Sequence, residues 1–296
     1  MSHYEEKTAT LMSMGFSRSS SQRAIRESDG NLEHAVNKLL NLETDDNAQC
    51  EEKRRAVPDS SAHTRGTGIE TTIQSELSQY NIPDGRSACT CIALNAAQDF
   101  LLGVSTISSS SLSSSAKSKS IIQREFSSEF LQKMIFSGVS VYNQVKKSNE
   151  GVEHMSAEEV LSKFSFPSLV LKGNIRQGVL SRNDDLGLMS QLRACREDGD
   201  CIKWTAVILS KTPETVCVCI PPTIHTFLPY VLIDSHPRPN QLHINGSYMK
   251  FHETIEDLVN TLYLLFPCTD LGPGVSDVMA MMYNSFDLYA LQLREN

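Results

Sequence analysis

A polar, aperiodic stretch early in the chain fixes how many cores this sequence can build. Residues 46–67 include Glu51-Glu52-Lys53-Arg54-Arg55 and most of a run of small and polar residues from Pro58 to Gly68. They offer no apolar face at helical or strand spacing, so they read as flexible linker. Of the 296 residues, that leaves a short segment, 1–45, and a long one, 68–296, of single-domain size. A tether of this length lets the first part search around the second and raises the local concentration of a shared ligand.

The short segment predicts three helices. Leu11 and Met12 belong to the first, which ends at Met14-Gly15-Phe16. Ser17 is placed to cap a second helix carrying Ala24 and Ile25. Asp29-Gly30-Asn31 is a turn, after which Leu32, Ala35, Val36, Leu39 and Leu40 fall on one apolar face. A bundle this small needs every apolar residue for burial.

The long segment predicts an α+β domain, helices first and strands later, with a helical lobe packed on a mostly antiparallel sheet. Ile69, Ile73, Leu77 and Tyr80 recur at helical spacing, and a helix is expected from about Ala88 to Leu102. Ser105 to Ser118 is Ser-rich and reads as a flexible insertion. Ile122, Phe126, Phe130 and Met134 mark another helix, Ala157 to Phe164 a short one, and Asp184 to Arg196 a third. Apolar runs follow at Trp204–Leu209, Val216–Ile220 and Phe227–Ile233, with Leu169–Leu171 before them. Asn245-Gly246 signals a hairpin, Phe251 to Phe266 an amphipathic helix, and the tail from Met279 to Leu293 fits helix or strand.

Composition narrows the function classes. Hydrophobic residues make up 40% and charged ones 21%, as in soluble globular proteins, and no apolar run approaches the ~20 residues of a spanning helix. With a net charge of -8 and no long Lys/Arg cluster, neither nucleic acid nor an anionic membrane is an expected partner. The N-terminus has no basic region followed by an apolar one, so the eight scattered cysteines are expected reduced, in the cytoplasm or the nucleus. Cys89-x-Cys91 and Cys217-x-Cys219 lack the spacing of a zinc site, and no cofactor is implied.

The chemistry concentrates in Tyr230-Val-Leu-Ile-Asp234-Ser-His236-Pro-Arg238. An apolar strand ends in a carboxylate and an imidazole spaced i, i+2, which leave a strand from the same face. Such a carboxylate holds the ring in one tautomer and stabilises its charged form. The matching nucleophile is sought at Ser87-Ala-Cys89-Thr-Cys91-Ile, a helix start that would lower a thiol's pKa. Cys89 is favoured over Cys91 because Ile92, Ala93, Ala96 and Phe100 continue its face as a buried stripe, and its own backbone N–H can serve an oxyanion hole. Gln74, Gln79 and Asn81, upstream, are further candidates for that hole. His225, His243, His252 and Arg238 read as solvated, and Trp204 as a core or edge-strand aromatic.

Two resemblances sharpen this reading. With its Met-Gly-Phe loop, Gly-Asn-Leu turn and terminal Leu-Leu, the first segment resembles a ubiquitin-associated (UBA) domain. That implies ubiquitin binding through Met14, Gly15, Phe16 and Leu40. The long segment has the helix-then-strand order of papain-like cysteine peptidases, but its acid precedes the His on one strand. In Leu232-Ile-Asp-Ser-His-Pro-Arg238 and Ser87-Ala-Cys-Thr-Cys-Ile-Ala93 it resembles the deubiquitinating domain of the herpesvirus large tegument protein and its non-viral relatives. The resemblance implies a Cys89–His236–Asp234 triad that hydrolyses isopeptide bonds after the ubiquitin C-terminal Gly-Gly. Ubiquitin, polyubiquitin chains and ubiquitinated proteins are the implied partners. The alternatives are a non-catalytic ubiquitin receptor and a peptidase for another ubiquitin-like modifier.

Overall fold

The apolar runs of the long segment do pair as strands, and their order decides where the site sits. The structure is a computed structural model. It describes residues 72–107, 120–122, 124–147, 154–164, 166–180, 185–225, 228–272 and 275–295, and, in the N-terminal segment, 5, 7–8, 11, 18–28, 30–31 and 35. In chain order the elements begin with α1 (Arg18–Glu27), β1 (Thr72–Gln74), α2 (Cys89–Thr106), α3 (Ser128–Lys147) and α4 (Ala157–Lys163). There follow β2 (Leu169–Leu171), β3 (Arg176–Val179), α5 (Leu188–Asp198), β4 (Thr205–Lys211), β5 (Glu214–Ile220), β6 (Tyr230–Asp234) and β7 (Tyr248–His252). The last are α6 (Ile255–Leu265), α7 (Asp277–Tyr283) and β8 (Ser285–Leu293).

By its internal contacts the chain divides into two units. One comprises Met1–Ile69, Gln177–Ser190 and Cys268–Ser285; the other comprises Glu70–Arg176, Gln191–Pro267 and Phe286–Asn296. In the first, α1 buries Ala24 and Ile25, and Gly30 takes the left-handed conformation (φ +77°) that ends the helix, its N–H bonding Ile25 O at 2.9 Å. Leu11, Ala24, Ile25 and Ala35 share one apolar cluster with Leu186 and Met281. The described part of the N-terminal segment therefore completes its core with residues from much later in the chain. Ser17 lies outside the described residues.

In the second unit seven strands run in the order β1-β7-β6-β5-β4-β8-β2, each pair antiparallel. The helix starting at Cys89 packs on β4 and β5 with α3 against it. Its Ile92, Ala96 and Phe100 are at most 1% exposed and belong to a single core with Ile208, Cys217, Cys219, Val231 and Ile233 from the sheet. Gly138 of α3 lets the two helices touch: a Cβ there would lie 2.4 Å from Ile92 Cα. This is the α+β architecture, helical lobe against antiparallel sheet, that the sequence predicts.

Local expectations differ in several places. The helical spacing from Ile73 to Tyr80 belongs instead to strand β1 and a 3-10 turn at Gln79–Asn81, since β1 finds a partner in β7. Asn245-Gly246 closes no two-residue hairpin; residues 235–247 join β6 to β7, and Gly246 is needed because a Cβ would meet Ser75 O at 1.9 Å. The run from Phe251 splits into the end of β7 and helix α6, while the tail is both helix (α7) and strand (β8). Ser105 and Thr106 extend α2; of the Ser-rich stretch, 108–118 lies outside the described residues.

Candidate active site

Helix α2 begins at Cys89 itself. At this first position the backbone N–H has no acceptor within the helix, and the thiol stands at the positive end of the helix dipole. Strand β6, buried between β5 and β7, delivers Asp234 as its last residue, opposite Tyr248. Two residues on, His236 leaves from the same side, and its Nδ1 lies 2.6 Å from Asp234 Oδ1. A carboxylate only accepts, so Nδ1 carries the proton and Nε2 is left for the thiol. Cys89 is among the groups that raise the His236 ring's affinity for its proton, while the thiol itself donates to Pro213 O at 3.7 Å. The structure thus brings Cys89, His236 and Asp234 to one place.

The carboxylate is 1% exposed and fully engaged. Its Oδ1 also accepts the His236 backbone N–H at 2.9 Å, while Oδ2 accepts Arg238 Nε at 2.8 Å and the Tyr248 hydroxyl at 3.3 Å. Burial works against its ionisation, but the charges of His236 and Arg238 and the bonds from His236 more than offset it, bringing Asp234 down to about 2. Burial likewise favours a neutral imidazole, yet the Asp234 charge and hydrogen bond, with a contribution from Cys89, raise His236 to about 10. The ring is thus held as imidazolium at neutral pH, the state that stabilises a neighbouring thiolate.

The two thiols are unlike. Cys91 is 1% exposed inside the main core, and burial, with the neighbouring Cys89, pushes it up to about 12. Cys89 stands outside that core cluster, with its Sγ 3.7 Å from Pro213 O. It is 3% exposed; a cavity of about 320 Å³ lined by Tyr80, Arg86, His154, Pro213, Glu214 and His236 includes its contact Pro213 but not Cys89 itself. Tyr80 presents its ring edge to His236 with centroids 5.9 Å apart.

Of the oxyanion candidates, Gln74 is exposed on β1, and Asn81 Oδ1 accepts from the Ser78 N–H and hydroxyl. Gln79 is 1% exposed and spends its amide nitrogen on Arg86 O at 3.1 Å. Arg238 overturns the reading of a solvated side chain. It is 5% exposed and joins Asp234 to Glu214, whose Oε2 accepts at 2.7 Å. It lies just past the end of β6, and its side chain reaches back to Asp234, four residues earlier. His252 is also buried, on β7, rather than solvated. His243 is exposed, His225 is half-buried, and Trp204 packs edge-on against Phe100 as a core aromatic. Tyr248, Glu214 and Tyr80 went unnoticed in the sequence because only strand register and loop path bring them here. Met14, Gly15, Phe16 and Leu40 lie outside the described residues.

The UBA/TS-N domain family matches residues 4–39, so a UBA domain stands at the N-terminus. The fold is similar to that of the ubiquitin-specific protease encoded by murine cytomegalovirus tegument protein M48, solved with a ubiquitin-based suicide substrate. The match has a TM-score of 0.51 and 12% sequence identity, and covers 77% of this chain and 88% of that one. The mixed helical and antiparallel architecture is thus shared with that protease. No curated protein sequence matches the chain.

Proposed function

We propose that the chain is a deubiquitinating cysteine peptidase, with residues 68–296 as the catalytic domain, 46–67 as its tether and the UBA domain as a ubiquitin-binding module. The observation that carries this reading is the Asp234–His236 pair, Nδ1 to Oδ1 at 2.6 Å, with the Cys89 thiol at a helix start near enough to act on the ring's charge. A UBA domain and a fold shared with a ubiquitin-specific protease point both modules at one ligand.

In this mechanism the Cys89 thiolate attacks the carbonyl carbon after the terminal glycine, and the carbonyl electrons move to oxygen. The Cys89 backbone N–H, unpaired at the helix start, donates to that oxyanion. Collapse breaks the C–N bond, and His236 passes its proton to the leaving lysine amine. Water, deprotonated by His236, then cleaves the thioester and restores the thiol. Asp234 holds the ring throughout and does not itself take the proton. The UBA domain, through Met14, Gly15, Phe16 and Leu40, retains chains or ubiquitinated proteins.

The test is hydrolysis by the full chain of isopeptide-linked diubiquitin and of ubiquitin with a C-terminal fluorogenic amide, beside the same amide of other modifiers. Release from the ubiquitin substrates is expected. Release only from another modifier would move the substrate, and release from none would leave a ubiquitin receptor.

A further inference from the structure

The segment that precedes Cys89 is stitched to the strand end that carries His236. Gln79 donates its backbone N–H to Ser235 O at 3.1 Å and accepts the Ser235 hydroxyl on Oε1 at 2.7 Å. Its Nε2 donates to Arg86 O at 3.1 Å, in the 3-10 turn Gly85–Ser87 that leads directly into α2. Ser235 is the residue between Asp234 and His236, so one buried side chain joins both halves of the candidate site. Four residues earlier the same segment is bonded to the start of β7: Ser75 N–H donates to Ser247 O at 2.9 Å, and Ser247 gives its N–H and hydroxyl to Leu77 O. Gly246 permits that approach.

We propose that Gln79, with Ser235, is a positioning residue: it sets the distance between the Cys89 thiol and the His236 ring, and is not the donor of the oxyanion hole. At 1% exposure, Gln79 has partners for its backbone N–H, its Oε1 and one N–H of its amide nitrogen. An amide is suited to this place because it must accept from a hydroxyl and donate to a carbonyl at once. A carboxylate there would set a charge against Arg86 O, and an apolar side chain would leave Ser235 Oγ and Arg86 O without their partner. The groups that face the His236 ring are Asp234 from β6, Cys89 from α2 and Tyr80 from the residue next to Gln79. Two of these three elements are tied to Gln79.

The inference rests on the hydrolase reading, and two substrates separate their failures. Ubiquitin with a C-terminal 2-bromoethylamide is attacked by the thiolate at carbon; the S–C bond forms as the C–Br bond breaks, bromide leaves, and no oxyanion arises. The fluorogenic amide requires the oxyanion. Gln79→Met, which keeps the side-chain length, should slow both reactions together by on the order of ten- to a hundredfold. It should also shift the acid limb of the labelling rate toward higher pH, with KM little changed. Ser235→Ala should do the same to a smaller extent and add little to Gln79→Met. It carries the test if Gln79→Met fails to fold. Slowed amide hydrolysis with an unchanged labelling rate and pH profile would make Gln79 an oxyanion donor and overturn the proposal. Two variants with wild-type behaviour in both assays would also overturn it. A wild-type chain that neither labels nor hydrolyses would instead sink the hydrolase reading beneath it.

Discussion

At the scale of single residues, the site is a row of alternating charge. Glu214, Arg238, Asp234 and His236 are joined by contacts of 2.6–2.8 Å, and all but Glu214 are almost fully buried. A buried row like this is costly to break, since each deletion strands a neighbour's charge. Arg238→Met should cost about 3 kcal/mol in urea unfolding and lower activity with it. Asp234→Asn keeps the shape but removes the charge that holds the imidazolium, so amide hydrolysis should fall by on the order of a thousandfold. The same pair makes stability depend on pH. His236 is raised from 6.5 to about 10, so its contribution is whole below 6.5 and drains away as pH climbs toward 10. Asp234 is lowered from 3.8 to about 2, so its contribution is whole above 3.8 and is lost as pH falls toward 2. Between those limits, unfolding free energy of the native chain minus that of Asp234→Asn should be flat and maximal.

Among the secondary-structure elements, α2 places the thiol and α3 places α2. Gly138 is the point of closest approach, and a methyl group there overlaps Ile92 backbone atoms rather than a side-chain tip that could turn aside. Gly138→Ala should therefore cost about 1–3 kcal/mol in urea unfolding. Ile92 lies three residues after Cys89, so the displaced helix should also lose kcat. The sequence revealed α2 well because its buried stripe repeats at helical spacing from Cys89 to Phe100, and β6 because an uninterrupted apolar run ends sharply at Asp234. It misled at Ile73 to Tyr80, where short apolar spacing was satisfied by pairing with β7, and at Asn245-Gly246, where the glycine serves a neighbouring backbone instead of a turn. Arg238 read as solvated because it lies just past the end of β6, and only the fold shows its side chain reaching back to Asp234. Gln79 was one of three candidates for an oxyanion role, and nothing local shows that its amide is engaged by Ser235 and Arg86.

The whole chain combines a UBA domain with a fold similar to that of a ubiquitin-specific protease. In the proposed function, what joins them is the identity of the reacting sulfur, Cys89 beside His236. Cys91, two residues away and sealed in the core, is the natural control. The decisive measurement is mass-spectrometric mapping of the adduct formed when the full chain reacts with ubiquitin bearing a C-terminal electrophile. The adduct is expected on Cys89, retained in Cys91→Ala and lost in Cys89→Ala and His236→Ala. An adduct on Cys91, or no adduct with a correctly folded chain, would contradict it.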